Sequence, residues 1–353
     1  MNAFNPKQSF LGIDIGASSI KAVQLGEDNG RPRLMTYGYS ETRVDLVKAE
    51  TPEAQQAIAS TIKSLIRQAK INTSQTVAAL PSYTVFTSII SLPLMTRKEL
   101  NSAVRWEAKK FVPMPIDDLV LDWKLLKDDQ SAREEKTPKN LRVLITAAPK
   151  TLVQRYNSIF KAAGLEIVAL DTEAFALERA LIGTDPAPVM VVDIGSAATD
   201  IAILVDGIPI VNRSINVGGD AISEAISRNL SVDHDRAEQF KIDFGLSIGQ
   251  DNDVHVPKTI EQTLNSIIGE IQFVINNLFR AQNMSPVERV ILSGGSSFLL
   301  NLPVYLEKKL SIKTFIGDPW ARVVYPVDLK PVLQEVGPRF SVAIGLAMRE
   351  IVP

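Results

Sequence analysis

Two segments of the sequence share one pattern, in which an apolar run leads into Asp-Ile-Gly, a small polar turn and a second apolar run. The first hairpin, residues 11–25, reads LGIDIGASSIKAVQL, and the second hairpin, residues 191–204, reads VVDIGSAATDIAIL. Alternating apolar residues on both sides of a Gly- and Ser-containing turn predict a β-hairpin in each segment. Unrelated hairpins would not both need an aspartate before the glycine, so the duplication indicates a shared chemistry.

The residue types in the two hairpins suit the binding of a triphosphate with Mg²⁺. Gly16 and Gly195 let the backbone come close to a phosphate, and successive amides in such turns form an anion-binding nest. Lys21 can point a positive charge at the terminal phosphates. Asp14 and Asp193 end strands and can hold Mg²⁺ through water, because this ion keeps much of its hydration shell. The turn residues that leave room for phosphate or donate to it are Ala17, Ser18, Ser19, Ser196 and Thr199.

Three other segments carry glycines or charges where a nucleoside could bind. SGGS at residues 293–296 joins an apolar strand to a helix, whose N-terminus favours anions, and an ordinary turn is the alternative. The helix start at 218–220 and a Glu–Lys pair in RAEQFKIDFG (236–245) could lie near adenine, ribose or phosphate, although a helix cap and an exposed ion pair explain them equally well. The residues concerned are Gly218, Gly219, Asp220, Glu238, Lys241, Gly294, Gly295 and Ser296.

The composition bounds the classes of protein that the chain can be. A length of 353 residues allows two lobes, or two to three domains. Apolar residues make up 45% and the net charge is -2, so no overall positive field would recruit nucleic acid. The absence of cysteine excludes disulfides, thiolate metal sites and cysteine nucleophiles. We expect neither a secretory signal in MNAFNPKQSF nor a membrane-spanning helix, because no apolar run approaches the ~20 residues needed.

The predicted elements place these motifs in an alternating α/β chain. Thr51 and Pro52 open one helix, and Thr96 with Glu99 forms a capping box at the start of another. KDDQSAREEKTPKN, residues 127–140, is typical of a charged hairpin tip. Beyond the two hairpins, we predict strands at 33–39, 75–80, 84–92, 118–126, 141–147, 165–170, 289–293 and 312–316. We predict helices at 52–70, 96–111, 150–163, 173–183, 218–230, 233–244, 257–283, 297–310 and 338–350.

These motifs together resemble the actin/Hsp70/sugar-kinase superfamily. The resemblance rests on the two hairpins, the LDTEAFALERAL segment (170–181), the SGGSS turn (293–297) and the final SVAIGLAMRE helix (341–350). It implies the actin-like, ribonuclease H-like ATPase fold, an α/β architecture of two lobes with ATP and Mg²⁺ in the cleft between them.

A strand–helix–strand–strand unit in the first half narrows the resemblance. IISLPLMTRKELNSAVRWEAKKFVPMPIDDLVLDWKLL (89–126) and VLITAAPKTLVQRYNSIFKAAGLEIVALDTE (143–173) look closely like the PilM family of type IV pilus assembly proteins. They are more distantly similar to the cell-division protein FtsA, which carries an SHS2-type α+β insert at the same place. The resemblance implies the following division: lobe I core 1–82 and 164–185, inserted subdomain 83–163, lobe II core 186–217 and 270–353, and a small subdomain 218–269.

The family resemblance also implies a partner and a location. PilM-like proteins bind the cytoplasmic N-terminal peptide of PilN between the first lobe and the insert, which we place near Val85–Leu92 and the helix Leu100–Phe111. The chain would then be a cytoplasmic protein recruited to the inner face of the inner membrane by its partner. Contacts with other platform proteins or assembly ATPases, and homo-oligomer formation, stay open. In the alternative interpretation, Trp106 and Phe111 are simply core residues of the insert.

Hydrolysis of ATP would need a residue that orients or activates water. By position, Glu173 is the first candidate for this catalytic role and Asp200 is the second. We find no segment typical of a sugar-binding site, so we expect a nucleotide-regulated scaffold with at most slow ATPase activity. A true ATPase or kinase, and an FtsA-like cell-division or filament-forming ATPase, are the alternatives.

Overall fold

The computed structural model describes residues 8–42, 48–126, 140–246, 255–279 and 285–352. The chain divides into two compact units, one made of Met1–Ser82 with Phe160–Pro353 and the other of Tyr83–Ile159. We refer to them as the core unit and the inserted unit. The predicted division into four subdomains is finer than these units and stays a proposal.

The elements of the described residues are as follows. The strands are β1 (Ser9–Ile15), β2 (Ile20–Asp28), β3 (Arg31–Ser40), β4 (Gln75–Leu80), β5 (Phe86–Pro93), β6 (Leu119–Leu125), β7 (Asn140–Pro149), β8 (Glu166–Thr172), β9 (Val189–Ile194), β10 (Thr199–Val205), β11 (Ile208–Ile215), β12 (Arg289–Ser293) and β13 (Lys313–Ile316). The helices are α1 (Pro52–Gln68), α2 (Arg97–Ala108), α3 (Lys150–Ala163), α4 (Glu173–Leu181), α5 (Gly219–Leu230), α6 (His234–Phe244), α7 (His255–Phe273), α8 (Leu302–Leu310), α9 (Lys330–Val336) and α10 (Ser341–Met348).

The core unit contains the same five-stranded sheet twice. The first sheet has the order β3-β2-β1-β4-β8 and the second has the order β11-β10-β9-β12-β13. In each sheet the first three strands in sequence form an antiparallel meander, and the last two run parallel to the strand that begins it. The two hairpins predicted from sequence are β1–β2 and β9–β10, so they occupy equivalent positions in the two sheets.

Strand β11 is the element of the second sheet that we did not predict. Its sequence, IPIVNRSI, contains a proline and three consecutive polar residues, which hide the alternation of apolar residues. The signal lies in the turn before it, where Asp206 and Gly207 both have positive φ values of 53° and 71°. Asp-Gly at such a turn is typical of a two-residue β-hairpin.

The inserted unit is a three-stranded antiparallel sheet in the order β5-β7-β6. Helix α2 begins with the predicted capping box. The Thr96 side chain accepts from the Glu99 amide, and the Glu99 side chain accepts from the Thr96 amide and hydroxyl. The helix buries Leu100, Val104 and Ala108 in one apolar cluster with the sheet. This order of strand, helix and two strands agrees with the prediction. Of the predicted hairpin tip at 127–140, residues 127–139 lie outside the described residues. Its last residue, Asn140, begins β7.

The closing helix α10 packs against the first sheet and shares an apolar cluster with strands of the second. It contacts β1, β2, β4 and α4. Its sequence, SVAIGLAM, is buried on all sides, so periodicity could not indicate which sheet it covers. Two glycines permit the contact, since a Cβ on Gly12 would lie 2.0 Å from the Ala343 carbonyl oxygen and one on Gly345 would lie 1.8 Å from that of Ala176.

Other helices differ from their predicted ranges. The predicted helix 297–310 is divided, because Asn301 adopts a left-handed conformation (φ 68°) before α8 begins. Helix α7 passes into a π-helical turn at Val274–Phe279, and the rest of the predicted range lies outside the described residues. Helix α9 was not predicted. No helix in the described ranges is both long enough and apolar enough to cross a bilayer.

We predict that Gly345→Ala destabilises the protein by about 3 kcal/mol, because the added methyl must displace α10 or the α4 backbone. Gly269→Ala is the matched control, since Gly269 is also inside a helix but a Cβ there meets nothing within 4 Å. That control should gain about 0.5–1 kcal/mol from helix propensity. Urea denaturation followed by circular dichroism measures both values, and similar effects of the two changes would contradict the close packing of α10.

Candidate functional site

The first and second hairpins turn in the same way. The Gly16 amide donates to the Ser19 carbonyl at 3.0 Å, and the Gly195 amide donates to the Ala198 carbonyl at 2.9 Å. The turn between each pair of strands is therefore closed by its glycine. The turn residues Ala17, Ser18, Ser19 and Ser196, for which we expect phosphate contacts, lie in or beside these turns.

One position in the repeat differs in charge. Across the strand pair, Asp14 faces Lys21 in the first hairpin and Asp193 faces Asp200 in the second. Lys21 Nζ donates to Asp14 Oδ2 at 2.9 Å. Asp200 has no such cation, and its Oδ1 atom is buried without a hydrogen-bond partner among the described residues. In the first hairpin the lysine balances the charge of the aspartate, whereas the second hairpin carries two carboxylates.

The acidic residues of both hairpins share one electrostatic environment with Glu173. Burial, followed by the carboxylates of Glu173 and Asp14, raises the pKa of Asp193 to about 7, although Lys21 opposes the shift. Burial and then Asp193 likewise raise the pKa of Asp200 to about 7. Mutual effects of this kind require short separations, so the fold brings Asp14, Asp193, Asp200, Glu173 and Lys21 to one place.

Glu173, the predicted catalytic residue, is the first residue of α4. Its Oε2 atom accepts from the Ser82 amide at 2.8 Å and from the Ser82 hydroxyl at 2.5 Å. Burial, followed by the Asp200 carboxylate, raises the pKa of Glu173 to about 8. Ser82 was not among the predicted site residues, and its one signal in the sequence is its position just after the buried strand β4 and Pro81.

The SGG turn after β12 reaches the second hairpin. Gly294 has φ 82°, and a Cβ there would lie 2.4 Å from both Asp193 Oδ1 and the Ile194 carbonyl oxygen. Ser296 Oγ donates to the Gly195 carbonyl at 3.3 Å. Only glycine fits at position 294, because both the backbone angle and the space exclude a side chain.

Three of the residues predicted to lie near the nucleotide make hydrogen bonds within the fold. The fully buried Thr199 donates its hydroxyl to the Val217 carbonyl at 2.6 Å, so this hydroxyl is already used within the fold. At the start of α5, the amides of Gly219 and Asp220 donate to the carbonyls of Gly195 and Ser196 at 2.9 and 2.8 Å. Together with Gly218, this segment therefore contacts the turn of the second hairpin.

Glu238 and Lys241 are more than an exposed ion pair. Lys241 is buried, and its Nζ donates to Glu238 Oε2 at 2.7 Å and to the Gly219 carbonyl at 3.2 Å. Ser223 Oγ also donates to Glu238 Oε2, at 2.5 Å. The pair is thus fixed beside the start of α5. A Cβ on Gly219 would lie 3.3 Å from Lys241 Nζ and 2.4 Å from Ser296 Oγ, which places the pair next to the SGG turn.

A second residue that sequence analysis missed is Arg339. It lies in the turn before α10, and its Nε is 3.6 Å from the position of a Cβ on Gly295. The same turn is tied to the SGG segment, because the Pro338 carbonyl accepts from the Gly294 amide at 3.0 Å. The Arg339 side chain therefore lies beside Gly295, in the turn at which we expect adenosine.

The acidic cluster fits a hydrated cation better than a cation enclosed by protein ligands. Within the described ranges, no three His, Asp or Glu side chains converge closely enough to hold a metal ion by themselves. Several buried carboxylates with one lysine nevertheless favour a positive ion nearby. Mg²⁺ meets both conditions when phosphate and water oxygens complete its shell, because it commonly uses only one or two protein carboxylates.

Comparisons with known proteins identify the family and the fold. The family model described as "Type IV pilus assembly protein PilM" matches residues 12–351. A solved structure titled "PilM-PilN type IV pilus biogenesis complex" is 31% identical, covers 99% of this chain and 100% of its own, and superposes with a TM-score of 0.83. MreB5 of Spiroplasma citri bound to ADP is 15% identical over 98% of this chain and 97% of its own, with a TM-score of 0.54.

Curated relatives include the cell-division protein FtsA. That of Neisseria meningitidis is 22% identical over 95% of this chain and 88% of its own length. The match to FtsA of Rhizobium meliloti, at 26% identity, spans only 38% of that relative and 44% of this chain. The fold is thus the actin-like ATPase fold, as predicted from sequence.

The raised pKa values predict how the ligand-free protein responds to pH. In the folded state Glu173 has a pKa of about 8, against 4.5 without the fold. The folded state therefore binds more protons than the unfolded state between these values, so the free energy of unfolding falls as pH rises from about 5 to 8. We expect Glu173→Gln to reduce this fall by at least about 1.4 kcal/mol, the equivalent of one pKa unit.

Glu166→Gln, at an exposed position on β8, is the control and should leave the pH dependence unchanged. Chemical denaturation of ligand-free protein at several pH values measures the effect. A stability that is constant or rises over this range, with Glu173 intact, would show that the carboxyl is ionised in the folded protein.

Proposed function

The chain belongs to the type IV pilus assembly protein PilM family, and from this premise we propose that it is a scaffold regulated by Mg·ATP in the pilus assembly platform. The observation that carries the nucleotide part is the meeting of the two hairpins at one acidic cluster that contains one lysine. The partner part rests on the relative whose title names a PilM–PilN complex. Each part has its own test.

The described residues suggest how ATP would be held. Lys21 would contact the terminal phosphates, with the turn amides after Gly16 and Gly195 around them. Asp14 and Asp193 would hold Mg²⁺ through water, and this ion would neutralise phosphate charge. The Gly294–Gly295 turn, with Arg339 beside it and the Glu238–Lys241 pair nearby, would receive adenosine. Two MreB5 structures of the same fold are titled as bound to ADP and to AMPPNP, which supports the assignment.

Glu173 is the residue that would orient a water molecule toward the terminal phosphate, with Asp200 next to it. A neutral carboxyl cannot accept a proton, and the Oε2 atom of Glu173 already accepts two hydrogen bonds from Ser82. Both features favour nucleotide binding with slow turnover over a fast ATPase. A phosphate-release rate well above about one per minute would contradict the scaffold proposal.

For the partner, we propose the cytoplasmic N-terminal peptide of PilN. In the inserted unit, Trp106 is 67% exposed and Phe111 is 47% exposed, so neither is a core residue. Leu94, before α2, is 55% exposed as well. Exposed aromatic side chains are frequent anchors for partners, and an extended apolar peptide is a suitable occupant. Such a partner would recruit the chain to the inner membrane from the cytoplasm.

A filament-forming or FtsA-like role is the second candidate. It is favoured by the FtsA match over 95% of this chain and by the shared fold with MreB5. Sedimentation of the purified protein with Mg·ATP tests it, because polymers pellet and a monomeric scaffold does not.

We predict that Asp14→Ala and Asp193→Ala each weaken Mg·ATP binding at least about tenfold, a loss of about 1.4 kcal/mol. The physical reason is the loss of an anionic group on the hydration shell of Mg²⁺. Isothermal calorimetry measures the affinity, and circular dichroism confirms that the variants fold. Asp328→Ala, at an exposed position of the core unit, is the control. Unchanged affinity in both hairpin variants would remove these residues from the site.

We further predict that Trp106→Ala and Phe111→Ala each weaken binding of a synthetic PilN N-terminal peptide by about 30-fold, or about 2 kcal/mol. Phe315→Ala is the matched control, because Phe315 is 37% exposed on β13 of the core unit. Fluorescence anisotropy of the labelled peptide measures the affinity. If the Phe315 variant loses as much as the other two, the peptide does not use the inserted unit specifically.

A further inference from the structure

Ser82 occupies a special place in the chain. It is the last residue of the core unit before Tyr83 begins the inserted unit. It follows β4, a central strand of the first sheet, and it is buried. A buried serine is expected to have hydrogen-bond partners. How firmly Ser82 is fixed therefore depends on the group that accepts its hydrogen bonds.

Both donors of Ser82 point to one atom. The backbone amide and the hydroxyl donate to Glu173 Oε2, at 2.8 and 2.5 Å. The hydroxyl also lies close enough to Asp200 to lower the pKa of that carboxyl, against the larger effects of burial and Asp193. Ser82 thus lies between the two carboxyl groups that we consider for water activation.

Glu173 in turn begins the helix that lies between the two sheets. Helix α4 packs Ala174, Ala176 and Leu177 into one apolar cluster, and that cluster includes Val77 and Ala79 of β4 as well as Val189 and Val191 of β9. A change in the relation of the two sheets must therefore move Glu173 relative to at least one of them. The hydrogen bonds to Ser82 are the polar link that such a movement would strain.

We propose that Ser82 is the positioning residue for Glu173, and that through this contact the nucleotide controls how firmly the core unit holds the chain at Ser82. With a diphosphate, Glu173 keeps both hydrogen bonds to Ser82. With a triphosphate, the carboxyl turns in part to the water at the terminal phosphate, and the Ser82 amide is released. This proposal rests on the nucleotide part of the proposed function, because a ligand shifts an equilibrium only through its different affinities for the two states.

Hydrogen–deuterium exchange of the full chain tests the proposal directly. Pro81 has no amide hydrogen, so a fragment covering residues 81–84 reports on Ser82 and its two successors. We expect at least about fivefold faster exchange there with Mg·AMPPNP than with Mg·ADP, the lower end of common coupling effects. Equal exchange with both nucleotides, each shown to be bound, would overturn the proposal and leave the proposed function intact.

Substitutions separate positioning from a general loss of structure. In Ser82→Ala, which keeps the amide but lacks the hydroxyl, the difference between the nucleotides should shrink below twofold, and Ser82→Thr should restore it. In Glu173→Gln, the Ser82 amide should stay hydrogen-bonded with either nucleotide, because the glutamine side-chain oxygen still accepts hydrogen bonds. Ser60→Ala on α1, where the hydroxyl donates to the Gln56 carbonyl, is the matched control and should respond like the unaltered chain.

Two results would count against the role of Ser82. If Ser82→Ala keeps the full difference between nucleotides, the hydroxyl does not position Glu173. If the unaltered chain binds neither nucleotide by calorimetry, the proposed function and the present inference both fail. Calorimetry therefore reports on the site itself, whereas the exchange experiment reports on how firmly the core unit holds the chain at Ser82.

Discussion

The buried Asp14 and the partly buried Asp193, Asp200 and Glu173 lie near a single lysine, and carboxyl groups this close cannot all be charged unless a cation joins them. In the ligand-free protein, protons supply part of that compensation, as the raised pKa values show. A hydrated Mg²⁺ with a triphosphate would replace those protons. Binding would then release protons from the acidic cluster, so nucleotide affinity would depend on the same electrostatic balance.

The architecture keeps these groups together through apolar contacts that leave little freedom. Helices α4 and α10 share one buried cluster with strands of both sheets. Arg179 ties them further, since its Nε donates to the Gly345 carbonyl at 2.8 Å and it also pairs with Asp171. Such close packing transmits small displacements instead of absorbing them. The hairpins at the ends of the two sheets can therefore respond to one ligand together.

Local patterns in the sequence predicted the parts of the fold and site that depend on nearby residues. Both Asp-Ile-Gly hairpins and the capping box of α2 follow from spacing within a few residues. The side on which α10 packs, and the roles of Ser82 and Arg339, depend on contacts between residues far apart in sequence, for which no local pattern exists. Thr199 shows that a local pattern can also mislead. Its hydroxyl lies in a turn of the type that binds phosphate, but it donates to the Val217 carbonyl instead.

Lys21 and Asp200 occupy equivalent positions in the two hairpins but differ in charge, so the two halves of the site are not equivalent. If both hairpins carried lysine, the cleft would bind anions symmetrically and would hold no group to activate water. Because Asp200 stands where the first hairpin has Lys21, a bound phosphate would be attracted to the first hairpin, while the second would offer acceptors for water and hydrated cations. The terminal phosphate would then lie between a cation on one side and Asp200 with Glu173 on the other. Ser82, the last residue of the core unit before the insertion, donates to Glu173 of that acidic pair, so it lies on the side of the site that would distinguish a triphosphate from a diphosphate.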